Sequence, residues 1–169
     1  MLYFYNYLTR KKEKFAPIHD KKVGLYTCGP TVYDFVHIGN LRTYIFEDIL
    51  RRTLEYNGYK VKQVMNITDV EDKIIKRAIE ENKDIREITD FYTKIFFDNI
   101  EKLNIKKADI YPRATEHIKE MIKLIDKLLK KGVAYKGKDG SIYFDISKFK
   151  NYGELSRLKK RQLKIGARI

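Results

Sequence analysis

A short span near the start of the chain combines a thiol, a histidine, a glycine and an amide. Cys28 follows an apolar stretch, and the sequence His-Ile-Gly-Asn at residues 37–40 precedes a helical pattern. A helix N-terminus offers unpaired N–H groups and the positive end of its dipole, which suits a phosphate chain. His37 and Asn40 can donate hydrogen bonds to phosphate oxygens whose negative charge grows in a transition state. Gly39 lacks a Cβ and leaves room for a flat ring against the backbone.

The elements that must position these residues read as a βαβα unit. Residues 21–27 and 61–67 have the composition of strands, and residues 38–56 between them carry apolar side chains at helical spacing. Thr68 or Asp69 is predicted to cap the helix that follows. Such units form a parallel sheet with a right-handed crossover, and ligands bind at the carboxyl ends of its strands. The predicted fold class is therefore α/β, a Rossmann-like parallel sheet with flanking helices.

The pattern within residues 38–56 also predicts which side of the helix faces the core. The residues expected to face inward are Leu41, Ile45, Ile49, Leu50 and Leu54. The residues expected to supply much of the opposite side are Arg42, Glu47, Arg51 and Arg52.

The remainder of the chain changes character near residue 132. Two more helices are predicted at 85–103 and 115–131, joined by an extended link, and a β-hairpin follows between residues 133 and 145. This change predicts a first domain over residues 1–131, followed over residues 132–169 by the beginning of a second, a small β-containing insertion. The second contains a strongly basic tail from Leu158 to Ile169.

Charge and composition narrow the classes of partner and location. The chain of 169 residues has 36 Lys+Arg against 23 Asp+Glu, a formal net charge of +13, which favours an anionic partner such as nucleic acid. The alternative is that an A+T-rich genome enriches lysine and that many lysines only solvate helix faces. A single cysteine excludes an internal disulfide framework and favours a reducing cytoplasm, and no apolar run is long enough for a membrane span.

The motif and its flanks resemble a known enzyme family. His-Ile-Gly-Asn at 37–40 resembles the HIGH-type signature of class I aminoacyl-tRNA synthetases, with Asn in the fourth position. The flanks resemble cysteinyl-tRNA synthetases in particular, through Leu-Tyr-Thr-Cys-Gly-Pro-Thr-Val-Tyr-Asp at 25–34 and Asn-Ile-Thr-Asp-Val-Glu-Asp-Lys-Ile at 66–75. Shorter likenesses at 5–10, 113–117, 141–145, 152–156 and 166–168 extend the resemblance over the whole chain.

The resemblance implies an activity, its cofactors and a set of site residues. Enzymes of this family activate L-cysteine with ATP and Mg²⁺ to cysteinyl-adenylate and transfer it to tRNA(Cys). Bound Zn²⁺ takes the substrate thiolate as a ligand, a test that favours a soft thiolate over a hydroxyl. The residues that match family positions are Cys28 as a zinc ligand; Gly29, Thr31 and Thr68 around the amino-acid and nucleotide pocket; and His37, Gly39 and Asn40 in the ATP signature, with His37 and Asn40 as the catalytic pair.

The same resemblance predicts that the active site is incomplete. The chain has no second cysteine, and a single cysteine does not supply the tetrahedral ligand set that zinc requires. The Lys-Met-Ser-Lys-Ser-type loop and the anticodon-binding domain are also absent from it. The expectation is a truncated N-terminal part, inactive or weakly active alone, whose partners include the missing C-terminal half or a second copy.

Two alternatives stay open at this point. One is a non-catalytic, synthetase-derived protein that binds nucleic acid or another partner. A relative that transfers activated cysteine to an amine shares the same first half, although the lysine-rich composition disfavours it.

Overall fold

The computed structural model describes residues 1–157, so the basic tail from Leu158 to Ile169 and the likeness at 166–168 lie outside the described residues. The strands are β1 (Tyr3–Asn6), β2 (Lys11–Lys14), β3 (Lys22–Thr27), β4 (Lys60–Met65), β5 (Ala134–Lys136) and β6 (Ile142–Phe144). The α-helices are α1 (Ile38–Tyr56), α2 (Asp72–Glu81), α3 (Ile85–Lys102) and α4 (Ile118–Lys130), with 3-10 turns at Ala114–His117 and Ile146–Lys148. Within these described residues, no helix is both long and apolar enough to cross a membrane.

Contacts divide the chain into two compact units. Residues 17–119 form the first, which we call the central unit. Residues 1–16 and 120–157 belong to the second, which we call the terminal unit. The functional boundary near residue 132 stays a prediction.

The central unit is built on a β–α–β arrangement. β3 and β4 run parallel from the pair Lys22–Lys60 to the pair Thr27–Met65, and α1 connects them. The chain beyond α3 then runs parallel to β4, where the Met65 N–H donates to the Ile110 carbonyl over 3.0 Å. This confirms an α/β fold with one regular parallel pair, and it confirms the predicted helices over 38–56 and 85–103.

The predicted inward face of α1 is wrong in part. Ile45 and Ile49 are exposed, whereas Glu47 and Arg51 are buried. Arg51 is tolerated inside because it is paired: its Nε donates to Glu55 over 2.9 Å and its Nη1 to the Lys107 carbonyl over 2.8 Å. Buried charges are accommodated when paired and hydrogen-bonded, so apolar spacing alone gave the wrong rotation of this helix.

The predicted cap of α2 is also wrong. The N-cap is Glu71, whose side chain accepts a hydrogen bond from the Lys73 N–H. Thr68 is held in extended pairing with Thr31, and the buried Asp69 accepts bonds from the N–H and hydroxyl of Thr115 over 2.9 and 2.6 Å. The cap therefore lies two or three residues later than the sequence predicts, because Thr68 is paired with Thr31 and Asp69 is bonded to Thr115.

The core of the central unit lies between its sheet and α3. One cluster of buried side chains gathers around Phe96, whose ring meets Tyr44 edge-on with centroids 5.3 Å apart. A second cluster joins Val32 and Ile67 to residues of α2 and α3. Together they fix the ends of β3 and β4, where the predicted site lies.

Within the residues that the structure describes, the terminal unit contains two hairpins, most of α4 and the 3-10 turn at Ile146–Lys148. The predicted hairpin is confirmed as β5 paired antiparallel with β6, and the predicted helix over 115–131 begins as a 3-10 turn and becomes α4 at Ile118. An N-terminal hairpin of β1 and β2, which the sequence did not predict, pairs Tyr3 with Lys14 and Tyr5 with Lys12.

Candidate functional site

A cleft of about 430 Å³ lies in the central unit where β3 ends and α1 begins. Of the predicted site residues, it is lined by Cys28, Gly29, Thr31, His37 and Asn40. The other two, Gly39 and Thr68, are not among its lining residues but contact those that are. The roles of these residues stay predictions, while their positions are described below.

His37 and Asn40 cap α1 reciprocally. The Gly39 N–H donates to Nδ1 of His37 over 3.1 Å, and the His37 N–H donates to Oδ1 of Asn40 over 3.2 Å. Because Nδ1 accepts a hydrogen bond, the ring proton of neutral His37 sits on Nε2. The cap thus uses one polar atom of each side chain and leaves an imidazole N–H and an amide NH₂ as donors.

Gly39 is required by the cap rather than by open space beside it. A Cβ at this position would lie 2.9 Å from Cε1 and 3.0 Å from Nδ1 of the His37 ring. Any larger residue would therefore displace the imidazole from its capping position. The first turn of α1 also contains no acidic residue, so nothing in that turn cancels the positive end of the helix dipole.

Gly29 and Asn66 hold the ends of the two strands together. A Cβ on Gly29 would lie 1.7 Å from the carbonyl oxygen of Asn66, so only glycine fits. Oδ1 of Asn66 accepts from the Gly29 N–H over 3.2 Å and from the Tyr26 hydroxyl over 3.0 Å, and its Nδ2 donates to the Thr68 hydroxyl over 3.1 Å. Asn66 was not predicted as a site residue, although it lies in a motif that carries the family resemblance.

Thr31 and Thr68 form a backbone bridge at the base of the loop. The Val32 N–H donates to the Thr68 carbonyl over 3.1 Å, and the Thr68 N–H donates to the Pro30 carbonyl over 2.9 Å. This bridge extends the parallel pairing past the ends of β3 and β4, so the loop that follows Cys28 has a defined path.

Cys28 is exposed and lines the cleft together with the buried Tyr44. Burial raises the pKa of Tyr44, and the charges of Cys28 and Glu47 raise it further. Among residues 1–157, no three His, Cys, Asp or Glu side chains gather as a metal site would require. The described residues alone therefore do not supply a tetrahedral zinc site.

Lys73 brings a cation to the cleft that the sequence reasoning missed. Its ammonium lies 3.5 Å from the hydroxyl of Tyr33 and 5.1 Å from the centroid of that ring. Lysine in the first turn of a helix is disfavoured by the dipole, and that unfavourable placement was the available signal. The acidic residue on the cleft, Asp34, lies 3.5 Å from the Arg77 guanidinium, so its charge is opposed.

Glu47 is a buried titratable group in the same unit. Its carboxyl group is hydrogen-bonded to the side chain of Thr27. The Thr27 hydroxyl also accepts a hydrogen bond from Nε2 of Gln63 over 3.1 Å. Burial raises the pKa of Glu47 from 4.5 to about 7, while the bond from Thr27 opposes the shift. Its Oε2 has no partner among the described residues, so an ionised Glu47 is poorly compensated.

The arrangement is suited to a ligand with a phosphate chain. The positive end of α1, the ring N–H of His37, the amide of Asn40 and the ammonium of Lys73 all supply positive charge or donors at one cleft. The thiol of Cys28 adds a soft nucleophile or ligand at the end of β3.

The chain also resembles known proteins over nearly its whole length. The sequence model of a family described as tRNA synthetases class I (C) catalytic domain matches residues 14–169. A cysteine--tRNA ligase of Chlamydia pneumoniae is 55% identical over 168 residues, which are 99% of this chain and 35% of that protein. Cysteine--tRNA ligases of Methanococcus maripaludis and Thermococcus gammatolerans are 53% and 52% identical, over 100% and 98% of this chain and 35% and 34% of those proteins. The chain thus spans about a third of the length of the curated relatives it matches.

Proposed function

The chain belongs to the family of class I (C) tRNA synthetase catalytic domains, and from that premise we propose that it carries the ATP- and cysteine-binding half of a cysteine--tRNA ligase. The observation that supports the proposal is the single cleft lined by Cys28, His37 and Asn40. The relatives named above, at 52–55% identity, bear the name of that enzyme.

The proposed reaction is the activation of cysteine. A carboxylate oxygen of cysteine attacks the α-phosphorus of ATP, the bond from that phosphorus to the bridging oxygen breaks, and pyrophosphate leaves with the electron pair. Negative charge moves from the carboxylate toward the leaving group, so donors placed along the phosphate chain stabilise the transition state. Mg²⁺ would neutralise phosphate charge in the usual way.

Each residue of the cleft has a proposed part in that reaction. His37 donates from Nε2 and Asn40 from its amide to phosphate oxygens, and Lys73 adds a full positive charge. Gly39 leaves the His37 ring in place, because a Cβ at this position would contact the ring too closely. Gly29, Thr31 and Thr68 fix the loop at the ends of the strands, where we propose that the amino acid and the nucleotide meet.

Cys28 stays the proposed zinc ligand from this chain. A thiolate is a preferred ligand of Zn²⁺, and Cys28 is exposed on the cleft. The further ligands would have to come from outside the described residues. We also propose that β3, β4 and the segment around Ile110 belong to a Rossmann-like sheet, and that tRNA(Cys) is the acceptor for the complete enzyme.

Cysteine-dependent exchange between ATP and pyrophosphate tests the proposal on the 169-residue chain. The assay contains magnesium and zinc, with serine in place of cysteine as the control. Exchange above background with cysteine and not with serine is the expected sign of activation. If exchange is too slow to detect, calorimetric titration with Mg²⁺-ATP is the second readout, and a chain that neither exchanges nor binds ATP would contradict the proposal.

Two variants separate binding from chemistry. Replacing His37 with Ala should slow exchange by a factor that corresponds to about 3 kcal/mol in barrier, with a smaller loss of ATP affinity. Equal losses in both would remove His37 from the transition state. Replacing the exposed His19, which does not line the cleft, with Ala is the matched control.

The zinc proposal has its own variant. Cys28→Ser should abolish any preference for cysteine over serine, because a hydroxyl is a poor zinc ligand. An unchanged preference would mean that Cys28 does not bind zinc in this protein.

A further inference from the structure

The N-terminal hairpin has one face on which tyrosines and lysines alternate. Tyr3 and Tyr5 lie two residues apart on β1, so both side chains project from the same face. Their partners directly across the ladder are Lys14 and Lys12. The two rings are 55% and 51% exposed, and both lysines are exposed, which leaves ring faces and ammonium groups open to a ligand.

Tyr7 extends the aromatic row beyond the end of β1. Its ring meets that of Tyr5 edge-on with centroids 5.5 Å apart, and it is 62% exposed. The Arg10 guanidinium lies 4.3 Å from the centroid of the Tyr7 ring and donates to the Leu155 carbonyl over 2.7 Å. Tyr7 is therefore held by a cation that is itself fixed within the terminal unit.

The opposite face of the hairpin carries the packing and the acid. Phe4 and Phe15 meet with ring centroids 5.3 Å apart. Glu13 is the only acidic residue among residues 1–16, and its carboxylate accepts from Asn6 over 2.9 Å and from Thr9 over 2.6 Å. These bonds, that from Thr9 first, lower the pKa of Glu13. The hydrogen bonds of the Glu13 carboxylate thus lie on the face opposite the tyrosines. The tyrosine face carries the positive charges of Lys12 and Lys14.

The hairpin of β5 and β6 also carries two tyrosines, but their rings are arranged differently from those of the N-terminal hairpin. Tyr135 and Tyr143 also lie opposite each other on paired strands, but their rings are stacked on each other with centroids 5.8 Å apart and an angle of 28°. The faces that these two rings turn toward each other are therefore covered and are not open to a ligand. Tyr143 also donates to the carboxylate of Asp139 over 2.7 Å, which brings negative charge to that hairpin.

We propose that the face formed by Tyr3, Tyr5, Tyr7, Lys12 and Lys14 binds single-stranded nucleic acid. Exposed aromatic rings on a sheet are stacking platforms for unpaired bases, and alternating cations neutralise the phosphates between those bases. A duplex offers no free base faces, so stacking selects unpaired strands. The proposal goes beyond the activation of cysteine, because it requires neither ATP nor the cleft.

Fluorescence anisotropy with a labelled oligouridylate and the whole chain tests this surface. The double variant Tyr3→Val with Tyr5→Val keeps β-branched residues on the strand and removes both rings, so affinity should fall about tenfold or more. Tyr3→Phe with Tyr5→Phe keeps the rings and should bind as the unchanged chain does. A duplex RNA of equal length should bind more weakly than the single strand at the same salt concentration.

The lysines are tested through salt dependence. Replacing Lys12 and Lys14 with Gln should reduce the slope of log affinity against log salt by about 1.4, as expected for two phosphate contacts on a single strand. The matched control replaces Lys60 and Lys62, which are also exposed and two residues apart on a strand, and it should leave the slope near its original value.

Tyr135→Val with Tyr143→Val is the control for the rings and should change affinity little. Unchanged affinity in the Tyr3 and Tyr5 valine variant, or equal binding of single strand and duplex, would overturn the proposal. So would a result in which the hairpin variants alter self-association in sedimentation experiments but leave oligonucleotide binding intact, because the face would then contact a second copy of the chain.

Discussion

The central and terminal units differ in how they use their apolar residues. Among the residues that the structure describes, every buried hydrophobic side chain except that of Ala134 lies in the central unit. α3 buries Phe96 and Ile100 almost completely, whereas α4 buries none of its residues. Both helices were predicted from apolar side chains at helical spacing, yet only α3 buries them.

The amphipathic pattern of a helix and the burial of its apolar side chains are therefore separate properties. α4 exposes Met121, Ile122, Leu124 and Ile125, which its amphipathic pattern groups along one side. Most helical stability comes from packing an apolar face rather than from intrinsic propensity. We therefore expect the stability of the described chain, and the precision of its cleft, to depend on the central unit.

Phe96→Ala should produce the largest effect. The ring is 1% exposed and packs edge-on with Tyr44, so its loss removes buried area and leaves a cavity that costs about 3–5 kcal/mol. Phe149→Ala is the matched change in the terminal unit, where the ring is 54% exposed and the cost should be below about 1 kcal/mol. Urea unfolding of both variants measures the free energy of unfolding. Similar losses in the two would mean that the terminal unit is packed as tightly as the central unit.

Gly29→Ala should follow, at about 3 kcal/mol. The new Cβ would clash with the Asn66 carbonyl, so the ends of the two strands must separate and the cleft must distort. ATP affinity should fall in parallel. Gly24→Ala on the same strand is the control, because a Cβ there meets nothing within 4 Å, and it should retain both stability and binding. A stable Gly29→Ala protein would mean that the loop is not held as described.

Glu47→Gln should change the pH dependence of stability. The folded state holds the proton of Glu47 up to a pKa of about 7, whereas the unfolded state releases it near 4.5, so the free energy of unfolding falls as pH rises through that window. Gln mimics the protonated carboxyl, so the variant should be more stable above pH 7 by on the order of 2 kcal/mol and should lack that slope.

Thermal unfolding across the same pH range measures the effect. Asp139→Asn in the terminal unit is the control, since the bond from Tyr143 lowers the pKa of Asp139 and moves its titration below the window. A Glu47→Gln protein that keeps the original slope would show that another group titrates there.

Tyr143→Phe should produce the smallest effect. It removes the hydrogen bond from the hydroxyl to Asp139, but both groups are exposed, so water replaces the partner and the free energy of unfolding should stay unchanged within the error of the measurement. Thermal unfolding provides the measurement. A loss as large as that of Gly29→Ala would mean that the second hairpin is as tightly packed as the central unit.

The sequence predicted the local elements well because their signals are local. The helix over 38–56 and the hairpin of β5 and β6 follow directly from periodicity and turn residues. The face that α1 buries was not predictable from spacing, because Arg51 is stabilised by Glu55 and by the distant Lys107 carbonyl.

Other features escaped for similar physical reasons. β1 and β2 were missed because Tyr-Phe-Tyr-Asn and Lys-Lys-Glu-Lys show no alternation of apolar and polar residues. The site residues were suggested by motif, but the part played by Asn66 depends on a contact between strands that lie 37 residues apart in sequence, from Gly29 to Asn66. Tertiary pairing of that kind is not encoded in any short window.

Hydrogen-exchange mass spectrometry of the whole chain, with and without Mg²⁺-ATP and cysteine, tests whether the cleft at the end of β3 binds the substrates. Slower exchange is expected in peptides that cover residues 28–40 and 66–73, with no change over residues 1–16 and 120–157. Slower exchange confined to the terminal unit, or none at 28–40 under conditions where ATP is bound, would contradict the assignment of the cleft as the site of cysteine activation.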